Sequence, residues 1–521
     1  MAQMDWGDAV DDSDTVTLHK LNEVFFRVCT SPDIHQEMTD YFKFRAQNFQ
    51  FNPKYKNKIW DGYIRIYKNG KLYIGLLPML KEFCEEREYK LDVNGEVKTD
   101  LVDYPPEYAK ELYASFNLDP ERFQLRDYQI EAMTYAFNQE RALLVSATAS
   151  GKSLILYSLI RHFNLKTLLI VPRVALAYQL VGDFVDYATN DDFDAKKECY
   201  PIFAGQDKNS PALVYVSTWQ SLQNMPPDYF SQFHMLIVDE VHEAKAAQLT
   251  KICEACTNAP YRFGTTGSLD NFDCHEWILQ GLFGLKKTVS TTRNLIERGI
   301  LPPLKINCVV LEYGEKTRKD SKKLLYKEEI DFISNHHKRN RFICKLAIKQ
   351  EKNTLVMFRH RAHGKKLFDE ISKLNTDPER KIFLIDGHVE AEIREKARTI
   401  VDTQKNAVIV ASEGVFSTGI NIKSLDVLIF AAPSKARIKI IQSIGRILRK
   451  GDDTSYVTVF DIVDDMQWKK RKNYAIQHFL ERAKIYAAEK HKYRLLKIDL
   501  REQSCLKLQP MKSSPVSASS S

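Results

Sequence analysis

The chain has 521 residues, more than one hydrophobic core can serve, so two to four domains are expected. With 44% hydrophobic and 28% charged residues it has the make-up of a folded globular protein, and 76 Lys+Arg against 68 Asp+Glu leave a formal charge of +8, which permits a polyanionic partner without demanding one. Nine cysteines argue against a disulfide framework, the acidic start (Asp5, Asp8, Asp11, Asp12, Asp14) against a secretory leader, and the shortness of every apolar run against a membrane span, so a soluble, reduced, intracellular protein is expected.

Residues 1–15 are acidic and without apolar periodicity, which predicts disorder. Residues 16–105 read as a small α+β domain, with strand-like alternation over 21–29, a helix over 32–44, and hairpin turns at Asp61-Gly62 and Asn69-Gly70. Inside it Lys54, Lys56 and Lys58 alternate with Tyr55 and are followed by Trp60, Tyr63 and Arg65. Such cations suit phosphates, and such aromatics suit base stacking or a wedge at a junction; the same residues also describe a hairpin with a lysine-blunted edge and core aromatics. After Pro105-Pro106, residues 106–300 alternate apolar runs (142–145, 167–171, 213–217, 235–238, 263–266) with helical patterns, the mark of a parallel sheet wrapped by helices. Residues 301–465 repeat the scheme, with runs at 354–358, 382–385, 407–411, 427–431 and 456–460. A basic helical extension is expected over 466–500, with the helix read across 468–497 and the cations Lys469, Lys470, Arg471 and Lys472 on it, and a disordered polar tail over 501–521.

The strand at 142–145 runs into Thr148-Ala149-Ser150-Gly151-Lys152-Ser153 and then a helical pattern, the setting a phosphate-binding loop needs. Backbone N–H groups would cradle ATP phosphates, the Lys152 ammonium would neutralise β/γ oxygens, and the Ser153 hydroxyl would ligate Mg2+. Ser146 stands where the first glycine of the usual pattern falls. Further on, the run 235–238 ends in Asp239-Glu240-Val241-His242, two carboxylates at the carboxyl edge of a strand, where ligands of open α/β sheets bind. Asp239 would hold Mg2+ through water, and Glu240 would orient and deprotonate the attacking water. His242 has no Cys or His at ligand spacing and reads as a polar link to neighbouring motifs. Cys253 and Cys256 form half a zinc spacing, which Cys274-His275 does not complete.

These motifs resemble those of the second helicase superfamily, over about 120–465. The resemblance implies two tandem RecA-like parallel-sheet domains, an ATP-dependent helicase activity, and a role for each further motif. Leu125 to Gln129 resembles the Q-motif, with Gln129 on the adenine edge. Val171 to Leu176, with Arg173, resembles motif Ia, and Ser217-Thr218-Trp219-Gln220 resembles motif Ib; both imply nucleic-acid contacts. Thr265-Thr266-Gly267-Ser268 resembles motif III. The segment 355–360 resembles motif IV, and 411–421 resembles motif V, with Thr418 on the nucleic acid and Gly419 on the nucleotide. Gln442 to Arg449 resembles motif VI: Gln442, Arg446 and Arg449 fall on one helical face, and the arginines would stabilise transition-state charge.

Within the superfamily, the block 49–62 and the segments 356–360 and 414–420 are similar to the recombination and repair helicases of large tailed phages. That similarity implies a motor on branched DNA that regresses stalled forks, migrates Holliday junctions, and unwinds D-loops and R-loops. It implies a host cytoplasm as the location, and a single-strand-binding protein and a recombinase as candidate protein partners. The rival readings are an RNA helicase, a restriction-type double-strand translocase, and a DNA-annealing or scaffold protein with a slow nucleotide switch.

Overall fold

The computed structural model describes residues 14–46, 49–94, 103–203, 207, 209–242, 247–267, 269, 273–418, 422, 424–433, 443–445, 447–448, 456–501 and 509–510. The chain divides into two compact units, Met1–Ser290 and Thr291–Ser521. The expected disorder of both ends lies almost wholly outside the described residues. Among the described residues no helix is long and apolar enough to cross a membrane.

The first unit opens with β1 (Thr15–Lys20), β2 (Phe25–Cys29), β3 (Lys43–Arg45), β4 (Tyr63–Arg65), β5 (Lys71–Tyr73) and β6 (Lys90–Asn94). Four of these form a sheet in the order β5-β2-β1-β6, antiparallel except for β1 with β6, while β3 and β4 pair as a separate ribbon. Alternation places Val16, Leu18, Phe26 and Val28 inward, where they are buried. The strand expected from Leu21 begins only at Phe25. Asn22 Oδ1 accepts the N–H groups of Val24 and Phe25 at 2.8 and 3.0 Å, and this side-chain turn replaces the ladder. The helix expected to reach residue 44 spans Pro32–Tyr41, because Lys43–Arg45 leave it to pair with β4. Asn69 and Gly70 do turn the chain, both with positive φ (54° and 68°), between Lys68 and Lys71.

The same unit continues into β7 (Arg141–Ser146), β8 (Thr167–Val171), β9 (Cys199–Ile202), β10 (Val214–Thr218), β11 (Met235–Asp239), β12 (Tyr261–Thr266) and β13 (Lys286–Ser290). They build an all-parallel sheet in the order β13-β7-β12-β11-β8-β10-β9. The apolar runs read from the sequence are its central strands, buried on both faces by helices. The small sheet and this one share a continuous core. Val16, Phe26, Phe42, Leu76 and Phe83 pack in one cluster with Leu279, Leu282 and Phe283 of the helix Asp273–Phe283. On that helix Trp277 meets Phe42 and Phe44 edge-on at 5.6 and 5.1 Å. Tyr73 donates its hydroxyl to Glu254. Arg262, fully buried, donates to the carbonyls of Leu282, Cys256 and Cys253, the C-terminal ends of two helices, where a cation complements the helix dipole. Burial pushes the Cys256 thiol up to about 12, so this cysteine pair is part of a core.

The second unit holds β14 (Leu304–Glu312), β15 (Thr354–Phe358), β16 (Ile382–Ile385), β17 (Val408–Ser412), β18 (Val427–Phe430), β19 (Val457–Asp465), β20 (Tyr493–Asp499) and β21 (Gln509–Pro510), in the order β16-β17-β15-β18-β19-β14-β20-β21. All pairs are parallel except β20 with β21. The helix read over 468–497 is helical only over Tyr474–Ala488, and the chain then enters the sheet as β20. Lys469 to Lys472 form a turn, with Lys469 at φ 53° and Trp468 bridged to Arg471. Two buried ion pairs fix this region. Arg339 grips Asp464 at 2.7 and 3.0 Å, and Arg482 grips Asp461 at 2.8 and 2.7 Å. Glu329 accepts the N–H groups of Tyr474 and Ala475 and so caps the last helix from a neighbouring one.

Candidate active site and nucleic-acid surface

Strand order creates the site. The loop after β7 and the acidic end of β11 both lie at the carboxyl edge of the first sheet, with only β12 between them. The loop is tight. Ala149 and Gly151 have positive φ (66° and 80°), and Gly151 caps the helix Lys152–Phe163 with no side-chain hydrogen bond, which leaves the helix N-terminus open to an anion. Where the usual first glycine would stand, the buried Ser146 bonds Ser150 hydroxyl to hydroxyl at 2.6 Å and ties the loop's two ends together.

Lys152 Nζ lies 3.4 Å from Glu240 Oε1 and 3.5 Å from the Ser146 carbonyl. Glu240 holds three partners in all, since its Oε2 accepts the Gly267 N–H at 3.3 Å and lies 3.2 Å from His242 Nδ1. Burial alone would raise this carboxyl, but the Lys152 charge and the His242 hydrogen bond prevail and hold it well below the usual carboxylate range. Asp239 goes the other way. Burial, and then the neighbouring Glu240 charge, push it up. Its Oδ1 accepts the Thr265 hydroxyl at 2.6 Å and the Glu240 N–H at 3.0 Å. Glu240 sits at φ 54°, a conformation costly for a side-chain-bearing residue, which turns its carboxylate off the strand direction of Asp239.

The register of β11 with β12 sets Thr265 opposite Asp239, and His242 Nδ1 meets Thr266 Oγ1 at 2.9 Å. Thr265, Thr266 and Gly267 thereby contact both carboxylates and the histidine, and β12 links the two edges of the site. Gln129 is buried: its amide donates to the carbonyls of Ser150 (3.1 Å) and Gly151 (3.4 Å), and its oxygen accepts the Arg126 N–H (3.0 Å), so here it braces the loop. The Ser153 hydroxyl lies 2.9 Å from the Tyr187 hydroxyl, a partner the sequence did not signal. Ser153 and Asp239 offer hard oxygens only, a donor set that suits Mg2+, which takes one or two protein ligands and keeps several waters.

In the second unit the candidates fall mostly outside the described residues. Gly419, Gln442, Arg446 and Arg449 lie outside them, and Thr418 ends the helix Glu413–Thr418. Of the nucleic-acid candidates in the first unit, Arg173 is exposed at the start of the helix Val174–Tyr187, and Gln220 is exposed beside a half-buried Trp219. Thr218 is buried, and its hydroxyl caps the turn at Ser221. Lys54, Lys56 and Lys58 are exposed, as is Arg65, which pairs with Asp61. Trp60 is half-buried and donates its indole N–H to the Tyr63 carbonyl at 2.7 Å. Trp60, Lys56, Lys58, Arg65 and Ile59 line an open concavity of about 770 Å3.

Three protein families match along the chain: "Type III restriction enzyme, res subunit" over 122–271, "DNA helicase UvsW, N-terminal" over 16–94, and "Helicase conserved C-terminal domain" over 338–451. The ATP-dependent DNA helicase uvsW of Enterobacteria phage T4 is 34% identical over 499 residues, 91% of this chain and 97% of that one. The crystal structure of T4 UvsW covers 93% of this chain and 100% of its own at 31% identity, with a TM-score of 0.49. A fragment of an HsdR subunit of a type I restriction enzyme from Vibrio vulnificus YJ016 shares the fold, at 16% identity and a TM-score of 0.53, over 82% of this chain and 83% of that one. With two RecA-like sheets, the loop 148–153 facing Asp239 and Glu240 across one strand, and this identity across nearly its whole length, the chain belongs to the UvsW family of ATP-dependent DNA helicases within the second helicase superfamily.

Proposed function

We propose that this chain is a DNA-stimulated ATPase that remodels branched DNA, regressing forks, migrating Holliday junctions and unwinding D-loops and R-loops, working beside a single-strand-binding protein and a recombinase. One observation carries the choice of branched DNA. The basic excursion with Lys54, Lys56 and Lys58 exposed lies within the stretch that matches the UvsW N-terminal family, outside the motor sheets, and motor motifs alone do not distinguish a junction from a linear duplex.

The roles proposed for the side chains of the first unit are supported by their surroundings, and those of Gln442, Arg446 and Arg449 by the resemblance of their motif. Phosphate oxygens at the loop 148–153 would compete with Glu240 for the Lys152 ammonium, and the carboxylate so released is the one aimed at water. Glu240, held ionised, orients that water and takes its proton. Mg2+ at Ser153 and Asp239 would neutralise charge on the β/γ phosphates. Thr265, Thr266, Gly267 and His242 fix the two carboxylates relative to one another. Arg446 and Arg449 are assigned to transition-state charge, and Gln442 to the nucleotide.

The test sets fork, four-way junction, R-loop and linear duplex substrates side by side with ATP and Mg2+. Remodelling of the branched substrates in preference to the linear duplex, with ATPase stimulated by DNA more than by RNA, is the expected result. Equal stimulation by RNA would favour the RNA-helicase reading, and strand pairing without ATP the annealing one.

A further inference from the structure

The excursion between β3 and β4 is braced from within. The Ala46 N–H donates to the Gly62 carbonyl at 2.9 Å and closes its base. The Arg45 guanidinium covers Phe49 at 4.0 Å and Tyr63 at 4.6 Å, and Phe49 meets Tyr55 edge-on at 4.7 Å. Gly62 lies so close over Phe49 that a Cβ there would come within 2.9 Å of Cδ2. Asn52 caps the turn Pro53–Lys56, and the N–H groups of Ile59 and Trp60 both donate to the Lys54 carbonyl at 2.8 and 3.2 Å. Of the aromatics that the sequence nominates for base stacking, Tyr55 and Tyr63 make ring contacts that hold this element together, and Trp60 is tied to it through its indole N–H.

Two other residues are not. Phe51 is 68% exposed and Ile59 is 74% exposed, more than any other large hydrophobic among the described residues. On the same excursion Lys54, Lys56 and Lys58 are exposed, and among the described residues none of their ammonium groups is in an ion pair. Asp61 is the one acidic residue of 46–62, and Arg65 occupies it. A braced element that holds two large apolar side chains in water offers a partner apolar surface to cover. Its occupant must be apolar where it meets Phe51 and Ile59 and anionic all round, which a branch point in DNA satisfies with base faces and phosphates. Apolar wedges of this kind unstack base steps in proteins that deform DNA.

We propose that Phe51 and Ile59 form the apolar tip that unstacks bases at the branch point, while Lys54, Lys56 and Lys58 hold the flanking phosphates. This rests on the branched-DNA reading above and names the residues that would read the branch. Loss of the tip should lower remodelling by about 10-fold or more.

The experiment uses the full chain and a synthetic fork carrying 2-aminopurine at the branch point, or the same base inside one arm. The parent should raise branch-point fluorescence on binding without nucleotide, and leave the arm position unchanged. The double variant Phe51→Ser, Ile59→Ser removes only exposed side chains, so its circular dichroism should match the parent's. It should bind the fork with the parent's salt dependence, since the lysines remain, yet lose the fluorescence rise and about 10-fold of fork remodelling. The variant Phe51→Leu, Ile59→Val, which keeps the tip apolar, should recover both. If the serine variant unstacks and remodels like the parent, or the apolar variant fails to recover, the tip does not read the branch and the proposal is overturned. If the parent itself remodels no branched substrate, the broader reading fails and this one with it; a remodelling parent with an indifferent serine variant overturns the tip alone.

Discussion

Glu240 sits between opposing pulls, burial that would neutralise it and the Lys152 charge and His242 hydrogen bond that keep it ionised. The same carboxylate restrains the lysine at 3.4 Å, so the two residues should fail differently when replaced. Lys152→Ala should abolish ATP hydrolysis while DNA binding persists, because in the proposed role the ammonium serves phosphates of the nucleotide and not of the track. Glu240→Gln should still bind ATP, since the amide can keep the Gly267 N–H contact, but turn over about 10²–10⁴-fold more slowly for want of a base. Nucleotide affinity and single-turnover hydrolysis, measured separately on each variant, check this; loss of nucleotide binding by Glu240→Gln would remove the base role. The positions of these residues were legible, because a phosphate cradle must follow a strand and open a helix, and a carboxylate pair must sit at a strand's carboxyl end. Their supports were not. The Thr265 contact to Asp239 depends on the β11–β12 register, and the Tyr187 contact to Ser153 joins two helices, neither of which any local pattern states.

At the scale of elements, the end of the second unit departs most from expectation. The run from Lys492 to Lys497 mixes three basic residues with apolar ones, and beside the helix before it this reads as one continuing amphipathic surface. Its pairing with β14, from Ile306↔Tyr493 to Glu312↔Asp499, is decided instead by a strand nearly two hundred residues earlier. Buried polar residues hold the arrangement: Arg482 is buried, and Asp461 accepts both from it and from the Tyr486 hydroxyl at 2.9 Å. Asp461→Asn should therefore destabilise the second unit by about 3–5 kcal/mol, since it leaves the Arg482 guanidinium buried without its counter-charge. Replacing both partners by apolar residues, Asp461→Leu with Arg482→Met, should recover most of that loss. Denaturant unfolding of the single and double variants measures both effects, and a harmless Asp461→Asn would show that the pair is hydrated and not sealed in the core.

For the molecule as a whole, the decisive feature is that the boundary expected near Pro105-Pro106 is not where the first core ends. Residues from β1, β2 and the helix Pro32–Tyr41 pack in one cluster with the helix Asp273–Phe283, and Phe42, fully buried, meets Trp277 at 5.6 Å. Sequence patterns mark the Pro-Pro linker clearly but say nothing of which faces meet across it. A core shared in this way should make the whole of 14–290 open as one cooperative body, whereas Thr291–Ser521 has its own core of Val309, Ile343, Val356, Val410 and Ile429. Phe42→Ala removes a buried ring and should cost about 3–5 kcal/mol. Native-state hydrogen exchange on the full chain reads where that loss is felt. Peptides covering β1 and β2 should lose protection by the same amount as peptides covering β7 and β12, while peptides covering β15 and β17 keep theirs. Loss confined to 14–94 would instead make the small sheet a separately folding module, and a DNA-binding excursion mounted on it would then be tethered to the motor rather than built into it.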